Sequence, residues 1–176
     1  MIYGPLDMKK PLQLKIYPDS VLREKSLPVK DVDEAVRDLM KGMAEIMYAY
    51  QGIGLAAPQV GVLQRVIIAD IGEGLISLAN PEIIDQTGED LLEEGCLSLP
   101  EIQVTVQRKQ SIFVRGIDAT GKEIARDLDG LTARVIQHEI DHLNGVLIID
   151  YASLIEKYEL RNALAELESR CKHPAS

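Results

Sequence analysis

The 176-residue chain sets 19 Lys and Arg against 28 Asp and Glu, for a net charge of −9, and 46% of it is hydrophobic. That length suits one well-cored domain spanning 1–176 and is short for two. The acidity excludes a self-sufficient nucleic-acid binder, which needs a basic face. Its apolar runs fall far below the roughly 20 residues that span a bilayer, and residues 1–7 lack the basic-then-apolar order of a secretory signal. No membrane association and a cytoplasmic location are the expectation.

Residues 1–30 read as irregular, punctuated by Pro5, Pro11, Pro18 and Pro28, with Pro18-Asp19-Ser20 suited to a turn. Asp31 is the expected start of a helix, with Glu34 three residues on as in a capping box. Val32, Val36, Leu39, Met40, Met43 and Met47 then recur at three- and four-residue intervals and mark a buried face. A methionine stripe also suits a binding groove, but a core helix is the simpler reading of that spacing.

The next run, Gly52-Ile53-Gly54-Leu55-Ala56-Ala57-Pro58-Gln59-Val60-Gly61, begins like the dinucleotide fingerprint G-x-G-x-x-A. Asp70 even stands about where a ribose-binding acid would. The context speaks against it: the run follows a helix instead of a strand, and Pro58 with Gly61 stops a helix from continuing. The glycines point instead to backbone that must come close to something.

Strand signals follow at residues 65–69, then at 75–78 ending on Asn80-Pro81, with a further short strand at 82–84. Val104 and Val106 alternate with polar residues, 111–115 reads as another strand, and 119–122 is a turn leading to a strand at 123–125. Residues 146–149 form a short apolar run. A last helix starts near Ser153, where Glu156 completes a capping box, and runs to about Arg170. The whole reads as α+β: mixed or antiparallel strands around a central metal-binding helix, flanked by an N-terminal and a C-terminal helix.

That central helix carries Gln137-His138-Glu139-Ile140-Asp141-His142, two of the three histidines of the chain four residues apart. Residues i and i+4 share a helix face, so the two imidazoles can grip one ion while Glu139 reaches toward its water. Asp129-Gly130 is a plausible start and Asn144-Gly145 a left-handed stop. The plain alternative is an amphipathic helix that happens to carry two histidines.

A catalytic tetrahedral site needs three protein ligands and one open position. Downstream, His173 stands in the tail, and nothing around Glu156 or Glu159 resembles a third-ligand motif, so the third ligand is sought upstream. Cys96, in Glu94-Gly95-Cys96-Leu97-Ser98, is the best candidate, because a thiolate coordinates divalent metals well. Its alternative is a small buried apolar residue. Cys171 has no such claim, and a single disulfide is not expected in a chain without a signal.

Gly52 to Gln59, Glu94 to Ser98 and Gln137 to His142, in that order, resemble the three motifs of bacterial peptide deformylases. Weaker matches at Tyr17 to Arg23, Ala79 to Glu82 and Val114-Arg115 extend the resemblance over nearly the whole chain. It implies removal of the N-formyl group from the formylmethionine of new polypeptides, with release of formate. It also implies that Cys96, His138 and His142 hold a divalent metal, with a water or hydroxide in the fourth position that attacks the formyl carbon. Ferrous iron is the implied ion in the cell, with zinc, nickel or cobalt as other occupants of a thiolate–imidazole site. Glu139 would be the general acid/base. The Gln59 amide and the Leu97 backbone N–H would stabilise the oxyanion, and the Gly54 backbone would pair with the substrate. The implied partners are N-formylmethionyl nascent chains, with transient ribosome association.

Leu131 and Val135 stand seven and three positions before His138, roughly on the ligand face. They would line the wall against the first substrate side chain; otherwise they are ordinary core. Glu101, Ile102 and Gln103 stand where some relatives place a basic residue. Two rival readings remain. A general metallopeptidase would leave Gln59 and Cys96 without a task, and a structural metal domain should close its fourth position with another Cys or His.

Overall fold

The computed structural model describes residues 11–172, with 171 and 172 described by backbone alone. Expectations attached to residues 1–10, to the Cys171 side chain and to His173 therefore fall outside the described residues.

The first helix, α1, runs Glu34–Ala49. It starts two residues later than the capping-box reading placed it. The cap is Asp33 and not Asp31, because it is the Asp33 carboxylate that reaches the Val36 N–H, at 3.0 Å. The methionine stripe is core: Met40, Met43 and Met47 are buried with Val36 and Leu39.

Seven strands follow: β1 Gly54–Ala56, β2 Val66–Ala69, β3 Ile76–Thr87, β4 Asp90–Cys96, β5 Leu99–Arg108, β6 Ser111–Ile117 and β7 Glu123–Asp129. All pair antiparallel, in a five-stranded sheet ordered β1-β2-β3-β6-β7 and a separate β4–β5 hairpin. Two short strands expected on either side of Asn80-Pro81 are one strand, β3. Asn80 takes a positive φ of 50°, and the ladder to β6 shifts register there without ending. The Asn80 side chain makes the deviation useful, exchanging bonds of 2.9 and 2.8 Å with the Val29 N–H and C=O.

β1 was not expected as a strand. Three residues carry no alternation to read, and their extended form comes from pairing with β2, Gly54 opposite Ala69. On β1 and β2, side chains alternate between two helices. Leu55, Val66 and Ile68 pack with α1, while Ala56, Ile67 and Ala69 pack with Ala133, Ile136 and Leu143 of α2, which spans Gly130–Leu143. α2 stops at Gly145, whose φ of 74° is left-handed and whose Cβ would overlap the Arg23 carbonyl.

The last helix, α3 Leu154–Lys172, opens as expected, with Ser153 N–H on Glu156 at 2.8 Å and Glu156 N–H on Ser153 Oγ at 3.2 Å. The buried side of the hairpin (Leu99, Ile102, Val104, Val106) packs on Ile148, Ile149 and Leu167. Among the described residues, no helix is long and apolar enough to cross a membrane.

Candidate metal centre and active site

Two elements converge on one spot. α2 brings His138 and His142, one turn apart, and the end of β4 brings Cys96. Their donor atoms all lie within 4.8 Å of one another. Cys96 Sγ stands 3.3 Å from His142 Nε2, which stands 3.2 Å from His138 Nε2. Bonds of about 2.1 Å to imidazole nitrogen and about 2.3 Å to thiolate put tetrahedral donors roughly 3.3–3.6 Å apart. The residues thus fit a shared ion in both chemistry and spacing. Glu156, the downstream alternative, spends its carboxylate on the Thr105 N–H at 3.0 Å and on the cap of α3.

Behind the histidines lies a layer that motif reading missed. The His138 Nδ1 is 3.0 Å from Glu94 Oε2, which fixes the ring so that Nε2 faces the ligand cluster. Glu94 is buried, and two guanidiniums hold it: Arg108 through Nε at 2.7 Å and an Nη at 2.9 Å, and Arg134 through an Nη at 2.6 Å. Burial pushes the Glu94 carboxyl up, but the bonds to Arg108 and His138 prevail and hold it down at about 2. Arg108 continues to Asp141 at 2.6 Å, which also accepts the Tyr151 hydroxyl at 2.8 Å. Glu94 heads the motif of Cys96, which was a signal. Arg108 and Arg134 stand in no motif and offered none.

Glu139, between the two histidines, is buried, and among the described residues its Oε2 has no hydrogen-bond partner. Burial raises its pKa to about 7, against the lowering influence of His138 and Arg108. A carboxyl so tuned exchanges a proton near neutrality.

These groups face a cavity of about 460 Å³ lined by Gly54, Gln59, Cys96, Leu97, Leu131 and Val135, among others. Val135 is buried in its wall and Leu131, at 48% exposure, forms its rim. Leu97 sits in the turn between β4 and β5, directly after Cys96. Gln59 is 1% exposed; its Nε2 lies 3.6 Å from Cys96 Sγ.

Gly54 is at the open edge of the sheet. The Asp70 N–H bonds the Ile53 carbonyl at 2.9 Å, so by antiparallel alternation the Gly54 N–H and C=O turn away from β2. Ala56 turns the same way, but its N–H is taken by Gln59 Oε1 at 2.8 Å. The structure therefore brings together every residue picked for the site from sequence: Cys96, His138, His142, Glu139, Gln59, Leu97, Gly54, Leu131 and Val135.

A family model described as polypeptide deformylase matches residues 11–158. The chain belongs to this family. It is 49% identical over 137 residues to a peptide deformylase of Carboxydothermus hydrogenoformans, covering 78% of this chain and 90% of that one. With a peptide deformylase of Thermotoga maritima it shares 43% over 161 residues, 91% of this chain and 98% of the other. The crystal structure of a peptide deformylase from Legionella pneumophila superposes with a TM-score of 0.85 at 36% identity, covering 95% of this chain and all of that one, 100%. The α+β architecture is that of the deformylase fold. The chain is a hydrolase of formyl amides working in protein biosynthesis, in a family of metalloenzymes, and its Cys96, His138 and His142 form a group able to bind an ion.

Proposed function

We propose that the chain removes the N-formyl group from formylmethionine at the start of new polypeptides by metal-assisted hydrolysis. The observation that carries this reading is the placing of Glu139, buried and, among the described residues, unpaired at Oε2, between two imidazoles whose Nε2 atoms stand 3.2 Å apart. Cys96, His138 and His142 hold the ion, ferrous iron in the cell, with zinc, nickel or cobalt as other occupants. When bound, such an ion lowers the pKa of a water toward about 7 and polarises the formyl oxygen.

The protein does the rest by position. Gly54 offers its backbone to the substrate as one strand offers another an edge. Val135 and Leu131 take the first side chain, and an unbranched methionine suits walls of that size. Attack of water on the formyl carbon puts negative charge on its oxygen, which the Gln59 amide and the Leu97 N–H receive; one such donor is worth roughly 3 kcal/mol. Glu139 takes the proton of the attacking water and gives it to the leaving amine. Such substrates arise at the ribosome, so the reading carries a transient association there, inside the cell.

Formate release from formyl-Met peptides, measured beside metal content after anaerobic purification, tests the proposal. Stoichiometric metal with formate release is expected. A protein loaded with ferrous iron that leaves formyl-Met peptides intact would overturn it.

A further inference from the structure

Gln59 is gripped at both ends of its carboxamide. One end faces the Ala56 N–H at 2.8 Å; the other lies 3.1 Å from Ser98 Oγ and 3.6 Å from Cys96 Sγ. A backbone N–H can only donate, so the atom facing Ala56 has to be the oxygen, and the nitrogen faces Ser98 and Cys96. That nitrogen carries two hydrogens. One is accepted by Ser98 Oγ, and the other is thereby left for the Cys96 side, where the cavity lies.

Ser98 is suited to hold this geometry. It is fully buried, at 0% exposure, in the turn between β4 and β5. Its carbonyl accepts the Tyr17 N–H at 2.9 Å, and the Lys15 N–H bonds the Gln59 carbonyl at 2.8 Å. Residues 15–17 thus lace the loop of Gln59 to the turn of Ser98, so the hydroxyl and the carboxamide keep a fixed separation.

We infer that Ser98 is a positioning residue for the deformylation step: its hydroxyl accepts one Gln59 N–H and so aims the other at the oxygen that becomes negative. The inference rests on the oxyanion role proposed for Gln59. A donor set in place beforehand needs no reorganisation when charge develops, which is where its value lies. Without Ser98 the carboxamide is held firmly at one end only, by Ala56, and its nitrogen, left with the longer contact of 3.6 Å to Cys96 Sγ, can swing off the reacting oxygen.

A double-mutant cycle with Ser98→Ala and Gln59→Ala tests it, reading kcat, KM and metal content on formyl-Met peptides. Ser98→Ala should lower kcat about 3- to 10-fold, the worth of one net hydrogen bond, with KM and metal unchanged. In the Gln59→Ala background the same change should do nothing further, because the group it positions is gone. An equal kcat loss in both backgrounds would make Ser98 a packing residue and overturn the inference, as would a loss of metal. A Gln59→Ala variant with undiminished kcat would remove the oxyanion role of Gln59 and this inference with it, while formate release by the unaltered enzyme would still stand.

Discussion

Gly54 lies flat against Glu139: a Cβ built on Gly54 would overlap Glu139 Oε1 and stand 2.6 Å from Val135 Cγ1. The glycine is therefore required by the neighbour of its Cα, since no positive φ at Gly54 demands it. Gly54→Ala should push the carboxylate and the Val135 wall aside while leaving the ligand trio in place. The expected outcome is full metal content with kcat/KM down by roughly 10²-fold, the cost of about 1 Å of misplacement at reacting groups. An alanine variant of undiminished activity would show that Glu139 has room to move without consequence.

Two substitutions separate ligand from base. Cys96→Ala should strip metal and activity together, since a thiolate of the donor set is lost. Glu139→Gln should keep the metal and lose at least ~10²-fold in turnover, as for a general acid–base group. Metal analysis of the purified variants beside formate release decides; a metal-free Glu139→Gln protein would make that residue a ligand.

Glu94→Gln should act on both stability and metal. The carboxylate joins His138, Arg108 and Arg134 in a buried cluster, so its neutralisation takes one charge partner from each of two guanidiniums, leaving Arg108 to Asp141 and Arg134 to Asp90. Breaking one partner of a buried ion pair costs about 3–5 kcal/mol, and loss of a carboxylate behind a ligating histidine weakens metal about 10- to 100-fold. Urea unfolding and metal competition with a chelator measure the two effects. Unchanged metal affinity would show that the ring of His138 needs no such support.

α3 is tied to β5 by Glu156, whose pKa its bond to the Thr105 N–H, then its bonds to Ser153, lower from 4.5 to about 2. A carboxyl whose folded pKa lies below the unfolded one contributes stability above the unfolded value, and that contribution is lost as pH falls through the folded value. Glu156→Gln should thus lower Tm by an amount that is constant above about pH 5 and shrinks toward zero near pH 2. A Tm gap as wide at the acid end as at neutrality would assign the effect to packing of the side chain and not to its charge.

How much of this was legible in the sequence depended on how local the cause was. The buried face of α1, the cap of α3 by Glu156 and the stop at Gly145 rest on residues within a turn of one another, and spacing alone revealed them. The gathering of Cys96, His138 and His142 was readable because two of them share one helix and the third stands in a motif. β1 was not, since its form depends on a partner strand and not on its own three residues. Nor were Arg108 and Arg134, which meet Glu94 across 14 and 40 positions of chain. Asn80 misled because a positive φ in mid-strand looks, in sequence, like an end.

The cavity wall makes the last prediction, on substrate choice. Val135 is buried beside Gly54 and Glu139, whereas Leu131 stands half-open at the rim, so the inner part of the cavity is bounded by Val135. Enlarging Val135 to Phe should fill that space. Formyl-Met peptides, which need it, should then lose kcat/KM, while formyl-Ala peptides, whose side chain stops short of it, should be nearly spared. A methylene more or less in such a site is worth ~1–3 kcal/mol, which sets the expected change in the Met-to-Ala ratio at roughly 10- to 200-fold. Because Val135 also touches the space of Glu139, a general loss would accompany any shift of that carboxylate; the ratio of the two substrates cancels it. An unchanged ratio would mean that Val135 supports α2 and does not read the substrate.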